Sequence, residues 1–332
     1  LVGSDSRQGQ LLDDGETGEL NDVNLLLHVS EDHQSATVIS FPRDLMLPIP
    51  SCPGPDGEPE YYPSMSEQQL NSAMMYGGLP CVVRTIENLT GMEIPYAGLI
   101  TFDGVIGISS AIGGVTVCLT EPILDPYTGL DLAAGEQTLA GVPALQFLRT
   151  RHGVGDGGDT SRISNQQVFM SALVRQLRSA ETLSNPMKVY ALAKAGVENM
   201  TLSSNMASVQ FMQALAGTVK DIDLARVAFV QYPTFRHPYQ AGRLTPDYTS
   251  GQTLIDIVMS GQPFAVAATG EGVVSDPAET PAEAPAEAPA ETPTETPATD
   301  GAETPAPPTV LPENITGQTA AQQTCSGGRT VY

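Results

Sequence analysis

Short apolar runs alternate with helical repeats over roughly the first 260 residues of the 332-residue chain. VNLLLHV (23–29) and ATVISF (36–41) are rich in β-formers and bounded by turn residues, which predicts two strands. The opening stretch LVGSDSR (1–7) reads as the end of another, so an upstream segment is expected to have been removed. PCVVRTIENLTG sets Val83, Ile86 and Leu89 on one helical face, with Pro80 at the start and Gly91 past the end. VTVCL (115–119) predicts a further strand, PALQFLRTRH (143–152) a helix with a basic end, and residues 165–178 a strongly amphipathic helix. This interleaving predicts an α/β domain around a mixed sheet.

The connection SEDHQS (30–35) is short enough to imply an antiparallel turn between the second and third strands. With the first strand antiparallel to the second, its end lies beside the second's beginning. The third strand returns to that same edge, where Pro42 stops it. Asp5, Arg7, Asp22 and Arg43 would then gather at one rim of the sheet, where α/β ligand crevices commonly open.

Charge narrows the chemistry. Thirty-eight Asp and Glu against fifteen Lys and Arg give a formal charge of −23, which argues against nucleic acid and against a basic membrane-binding face. Against that background FLRTRHGVGDGGDTSRISNQQ (147–167) gathers Arg149, Arg151 and Arg162 around glycines. Guanidinium forks suit phosphate, and carboxylates at the same rim suit a Mg²⁺ ion shared with phosphate oxygens. Asp5 and Asp22 read equally as turn or capping residues, and Arg149 and Arg151 as cations at a helix C-terminus. GVGDGG (153–158) matches G-x-G-x-x-G but follows a helix where a dinucleotide site requires a strand. There is no P-loop and no G-x-S-x-G elbow, and none of the four histidines has an evident catalytic partner.

Residues 276–308 repeat proline with alanine, glutamate and threonine, a composition with no apolar face to bury. The compact domain is therefore expected over 1–262, a linker over 263–309, and a tail over 310–332 that must dock or stay loose. Cys52, Cys81, Cys118 and Cys325 form no C-x-x-C pair; they fit two disulfides or four buried thiols. No apolar run reaches the length of a membrane span, and no signal peptide is visible.

Taken in order, LVGSDSR, NDVNLLLHVS, VISFPRDL, LNSAMMYGG, AIGGVTV, GVPALQFLRTRHG and GDTSRISNQQ resemble the LytR–CpsA–Psr family of cell-wall glycopolymer ligases, most closely its actinobacterial branch. The resemblance runs from Leu1 to about residue 260. It implies an αβα sandwich with a central mixed sheet and a pocket for a polyprenyl-pyrophosphate-linked glycan. It also implies a domain outside the cell on an N-terminal membrane anchor, and transfer of the glycan to peptidoglycan or a surface protein. Carried over, Asp5 and Asp22 would bind Mg²⁺, and Arg43, Arg149, Arg151 and Arg162 would clamp the phosphates. Arg7, Asp44, Asp159 and Gln167 would contact substrate, with Asp44 and Asp159 as candidate general bases. Leu79, Val83 and Ile86, or Met74 and Met75, would line a prenyl pocket. The family commonly carries arginine before the Gln-Gln pair where this chain has Asn165, so Asn165→Arg is expected to leave the fold intact. An extracellular setting implies two disulfides, with Cys325 bonded to Cys52, Cys81 or Cys118. Losing Cys325 is then expected to weaken the tail and spare the site. A lipid-pyrophosphate hydrolase and a non-catalytic glycan- or lipid-binding wall protein are the competing readings.

Overall fold

The structure, a computed structural model, describes residues 1–6, 19–54, 56–178, 185–276 and 309–329. Strands β1 (Val2–Ser4), β2 (Asn21–Val29) and β3 (Ala36–Phe41) form the antiparallel trio that the short 30–35 turn requires. Ser4 pairs with Asn21, and Asn24 with Phe41, so the end of β1, the start of β2 and the end of β3 meet at one rim. The sheet extends to seven strands in the order Met200–Leu202, Gly98–Ile100, β1, β2, β3, Val227–Gln231, Gly317–Thr319. It is mixed, because β1 runs parallel to Gly98–Ile100 and β3 parallel to Val227–Gln231.

Seven α-helices lie among the described residues: α1 (Gly78–Thr90), α2 (Phe102–Ala111), α3 (Val142–Arg149), α4 (Asp159–Arg178), α5 (Pro186–Asn199), α6 (Val209–Val219) and α7 (Tyr248–Ser260). Helix α1 stops where the sequence indicates: Gly91 takes a φ of 70° and returns its N–H to Glu87 O. Alternate residues of β3 serve the two faces of the sheet. Ile39 and Phe41 pack with Ile86 of α1 and Leu254, Ile255 and Val258 of α7. Ala36 packs in the opposite core with Phe229, and Val38, Met170 and Val174 close around it from the strand and from α4. The helix–sheet–helix layering expected from the sequence is therefore present.

Helix α4 has a sheet on both sides. A second, four-stranded sheet of Gly135–Leu139, Val115–Leu119, Thr324–Ser326 and Val273–Ser275 covers its far face. Val115, Val117 and Leu119 share a core there with Phe147, Phe169 and Ala172. This corrects the expectation of an amphipathic helix over 165–178. The helix begins at Asp159, and Arg162, Ser164, Asn165, Gln166 and Gln167 are all buried in its first half. Burying polar groups is tolerable only when they find partners. Accordingly, Asn165 Nδ2 donates to Phe147 O at 2.8 Å and Gln166 Nε2 to Leu148 O at 2.9 Å, both carbonyls of α3.

The expected end of the fold at 262 also moves. Phe264–Ala265 pairs with Thr309–Val310, and Val273–Ser275 pairs with Thr324–Ser326, so residues 263–276 belong to the fold. The tail supplies the edge strand Gly317–Thr319 of the main sheet and an inner strand, Thr324–Ser326, of the second. A segment too short to fold alone is stable here because each piece completes a ladder already started. The rest of the expected linker, 277–308, and Arg7 lie outside the described residues. Among the described residues no helix is long and apolar enough to cross a membrane.

Disulfides join Cys52 to Cys81 and Cys118 to Cys325. The second links residues paired on neighbouring parallel strands and closes a span of 207 residues. A cross-link over so long a loop restricts the unfolded chain strongly, by roughly 2–5 kcal/mol in comparable proteins. Cys325→Ala should accordingly lower the melting temperature and expose residues 309–329 to protease. Thiol labelling of denatured, non-reduced wild-type protein should find no free cysteine; four free thiols would refute both bridges.

Candidate active site

Strand β3 ends at Phe41, and Pro42 opens a tight turn closed by Leu45 N–H on Pro42 O at 3.2 Å. The turn presents Arg43 and Asp44 beside the start of β2, where Asp22 is the second residue. Arg43 Nη1 meets Asp22 Oδ1 at 2.6 Å, and the Arg43 N–H donates to Asp159 Oδ2 at 3.0 Å. Asp159 opens α4, where a carboxylate is favoured by the helix dipole. One turn along α4, Arg162 Nη2 lies 2.6 Å from Asp159 Oδ1 and donates to the Asp22 carbonyl at 2.6 Å, while Nη1 is 3.5 Å from Asp22 Oδ2. Arg151 Nη2 stands 3.9 Å from Asp44 Oδ2. Residues far apart in sequence thus converge on one cluster of three arginines and three aspartates.

Asp125 fixes the Arg151 backbone and was not singled out by sequence. Fully buried, it accepts from Thr150 Oγ1 at 2.6 Å, from Arg151 N–H at 3.2 Å and from Tyr127 N–H at 3.0 Å. Burial pushes its pKa up, but these donors outweigh it, and the carboxyl titrates below its ordinary value.

The arginines differ in electrostatic setting. Burial is the largest influence on Arg43 and lowers its pKa, yet Asp22, Asp159 and Asp44 together raise it above the ordinary guanidinium value. Arg151 is pushed down, first by burial and then by repulsion from Arg43. Arg43 Nε, Arg151 Nε, Arg162 Nε and Gln167 Nε2 are buried donors without a hydrogen-bond partner among the described residues. Such donors are costly to leave unmet, and an anion with several oxygens would satisfy them.

Asp5, just past β1, holds the loop before β2 by exchanging main-chain and side-chain bonds with Leu20, at 3.0 and 2.7 Å. The Ser4–Asn21 pairing sets it at the strand end adjacent to Asp22. Two carboxylates at adjoining strand ends offer the oxygen donors that Mg²⁺ takes. Cys118, Cys325 and Asp276 also lie close together, but the two sulfurs are bonded to each other. Arg149 is held differently from the other arginines: its guanidinium lies 4.3 Å over the centre of the Phe102 ring, a cation–π contact at the end of α3.

The glycine loop serves the tail. Gly155, at a φ of 47°, gives its N–H to Gly328 O at 3.2 Å, and Arg329 Nη1 donates to His152 O at 2.8 Å. Ser326 Oγ donates to Asn165 Oδ1 at 2.5 Å. The tail therefore braces the loop and helix that carry Arg151 and Arg162, which revises the expectation that losing Cys325 would spare the site.

A cavity of about 570 Å³ runs between β2, α1 and α6. Leu79, Val83 and Ile86 line it, together with Leu26, Met92 and Phe211, and Asn24, two residues along β2 from Asp22, is also in its wall. Met74 and Met75 are not part of that lining. Met74 packs against the Cys52–Cys81 region and takes Asn21 Oδ1 on its N–H at 3.1 Å, while Met75 is exposed.

The LytR_cpsA_psr family model matches residues 1–245. The chain is 31% identical over 245 residues to the cell wall biosynthesis protein LcpA of Corynebacterium glutamicum, covering 65% of this chain and 47% of that protein. It is 22% identical over 225 residues to an Enterococcus faecalis protein named polyisoprenyl-teichoic acid–peptidoglycan teichoic acid transferase TagU, covering 66% and 69%. It spans about half the length of the corynebacterial relatives. The fold matches a LytR-Csp2A-Psr enzyme from Actinomyces oris at a TM-score of 0.60 and 23% identity, over 77% of this chain and 87% of that one.

The Asn165 contacts overturn the sequence-based view of that position. Arginine there would bury an unpaired charge and break the ties to α3 and to the tail, so Asn165→Arg should destabilise by about 3 kcal/mol or more. A melting temperature equal to that of the wild type would contradict this. At the cluster, Arg43→Lys and Arg151→Lys should recover little of the activity lost in the alanine variants, because an ammonium cannot reproduce the fork. Steady-state kinetics on the four variants tests it.

Proposed function

The chain belongs to the LytR_cpsA_psr family, and on that premise we propose that it is a Mg²⁺-dependent phosphotransferase. It moves a glycopolymer from a polyprenyl-pyrophosphate carrier to peptidoglycan or to a surface protein. The observation that carries this reading is the sharing of one strand by two opposite environments. Buried guanidinium donors without hydrogen-bond partners among the described residues gather where β2 begins, and an apolar cavity is lined by the same strand from Asn24 onward. A pyrophosphate ester of a long isoprenoid has matching halves. The name of the Enterococcus faecalis relative, which joins polyisoprenyl-teichoic acid to peptidoglycan, supports the same direction.

In this reading the prenyl chain enters the cavity past Leu79, Val83 and Ile86, and Arg43, Arg151 and Arg162 take the pyrophosphate oxygens. Asp5 and Asp22 would hold Mg²⁺, which when bound supplies charge neutralisation at the pyrophosphate. An acceptor hydroxyl forms its new bond to the sugar-side phosphorus. The bond from that phosphorus to the bridging oxygen breaks, and prenyl phosphate leaves with the electron pair. The fixed cations stabilise charge that shifts onto the bridging oxygen, where preorganisation contributes most. Two disulfides support a domain working outside the cell, and an N-terminal anchor would keep it near a membrane-bound donor.

Radiolabelled lipid-pyrophosphate glycan incubated with peptidoglycan should yield labelled polymer and free prenyl phosphate only when Mg²⁺ is added. Release of prenyl phosphate and free glycan phosphate, with or without acceptor, would identify a hydrolase instead. Asp5→Ala and Asp22→Ala should each abolish Mg²⁺-dependent turnover while circular dichroism remains native. Normal turnover in the double variant would sink the metal assignment.

A further inference from the structure

The three carboxylates of the cluster are not held alike. Asp22 faces guanidinium groups with both oxygens, and Asp159 faces Arg43 N–H with one and Arg162 with the other. Asp44 differs in keeping its second oxygen farther from any guanidinium, at 3.9 Å, than Asp22 keeps Oδ2, at 3.5 Å, or Asp159 keeps Oδ1, at 2.6 Å. Its Oδ1 accepts from Gln69 Nε2 and from Arg243 Nη1, each at 2.6 Å. Its Oδ2 has no hydrogen bond among the described residues and stands 3.9 Å from both Arg43 Nε and Arg151 Nη2. That is too long for a hydrogen bond and leaves room for a donor between the two guanidinium groups.

Arg243 comes from a part of the chain with no catalytic motif, QAGRLTP, which reads as a turn. It ends the segment that connects the two strands of a hairpin, Thr234–Arg236 and Leu244–Pro246. That hairpin is fastened to the catalytic turn through its backbone, with Leu244 N–H on Asp44 O at 3.1 Å and a bridge between Leu45 and Leu244. His237 Nε2 adds a contact to Glu67 Oε1 at 3.3 Å. The Arg243 side chain is 37% exposed, against 9% for Asp44. A pair so open to water adds little to stability, but it fixes the direction of a nearly buried carboxylate.

We propose that Arg243 is a positioning residue that acts through Asp44. By holding Oδ1 it aims Oδ2 into the space between Arg43 and Arg151, where Oδ2 accepts the hydrogen bond of the attacking acceptor hydroxyl. As the hydroxyl oxygen bonds to phosphorus its proton passes to Oδ2, while the bridging P–O bond breaks toward prenyl phosphate. A carboxylate oxygen aimed in this way serves a loose phosphoryl transition state, which asks for orientation more than for a strong base. The role rests on the transferase reading.

The test compares Arg243→Gln, Arg243→Lys, Asp44→Asn and the double variant Asp44→Asn/Arg243→Gln in the full chain. Transfer rate, binding of a fluorescent short-chain prenyl pyrophosphate, and melting temperature are read for each. Arg243→Gln should lower kcat roughly tenfold to a hundredfold, leave prenyl pyrophosphate affinity within about twofold, and melt close to wild type. Arg243→Lys should keep part of the rate, and adding Arg243→Gln to Asp44→Asn should cost nothing further. Unchanged kcat in Arg243→Gln, a loss found wholly in donor affinity, or an equal loss in the Asp44→Asn background would each overturn the proposal. Wild-type transfer with an indifferent Arg243→Gln defeats this inference alone, whereas a wild type that binds donor and transfers nothing defeats the transferase reading with it.

Discussion

Guanidinium groups repel one another, and much of this fold is arranged to hold three of them together. At 4 Å two like charges cost about 1 kcal/mol in bulk water and about 4 kcal/mol at the effective dielectric of a protein surface. Asp22, Asp44 and Asp159 offset that repulsion around Arg43, Arg151 and Arg162, and each carboxylate comes from a different element. Strand β2 brings the first, the turn after β3 the second and the start of α4 the third. Moving any of these elements by one residue would separate the arginines from the charges that hold them. The cluster is therefore also a constraint on the register of the sheet.

The rim itself was legible in the sequence. A six-residue turn between two apolar runs allows only an antiparallel return, and proline fixes where the returning strand stops. Asp22 and Arg43 were brought together by that argument alone, and the structure joins them in an ion pair at 2.6 Å. The ordered family motifs added Arg151, Arg162, Asp44 and Asp159, all of which lie in or against the same cluster.

Other features were illegible for physical reasons. Periodicity reports which face of a helix meets water, and the first half of α4 meets almost none, so its Ser-Asn-Gln-Gln run imitates a polar face. Arg149 shares the R-x-R spacing with Arg151, but the helix ends between them. One guanidinium is left on the Phe102 ring while the other enters the cluster. Asp125 and Arg243 sit in turn-like stretches whose composition carries no sign of what they touch across 26 and 199 residues. The tail was missed as strand because three-residue ladders have too few positions to show alternation.

The seventh strand of the main sheet and the third of the second sheet come from the last described residues, 317–326. The order of assembly follows from this. Ladders within β1–β3 close over short loops, whereas Val227–Gln231 and Val115–Leu119 wait for partners about 90 and 200 residues downstream, and such distant closures are slow. During synthesis the chain up to about residue 316 must persist with one edge of the main sheet and one slot of the second unfilled. Exposed ladder groups of that kind invite pairing with other chains. The acidic stretch between Asp276 and Thr309 lengthens the wait only modestly, since each doubling of a loop adds about 0.6 kcal/mol to its closure. Its eight negative charges over 276–304 travel with the unfinished protein, so that neighbouring unfinished copies repel one another until the last strands arrive.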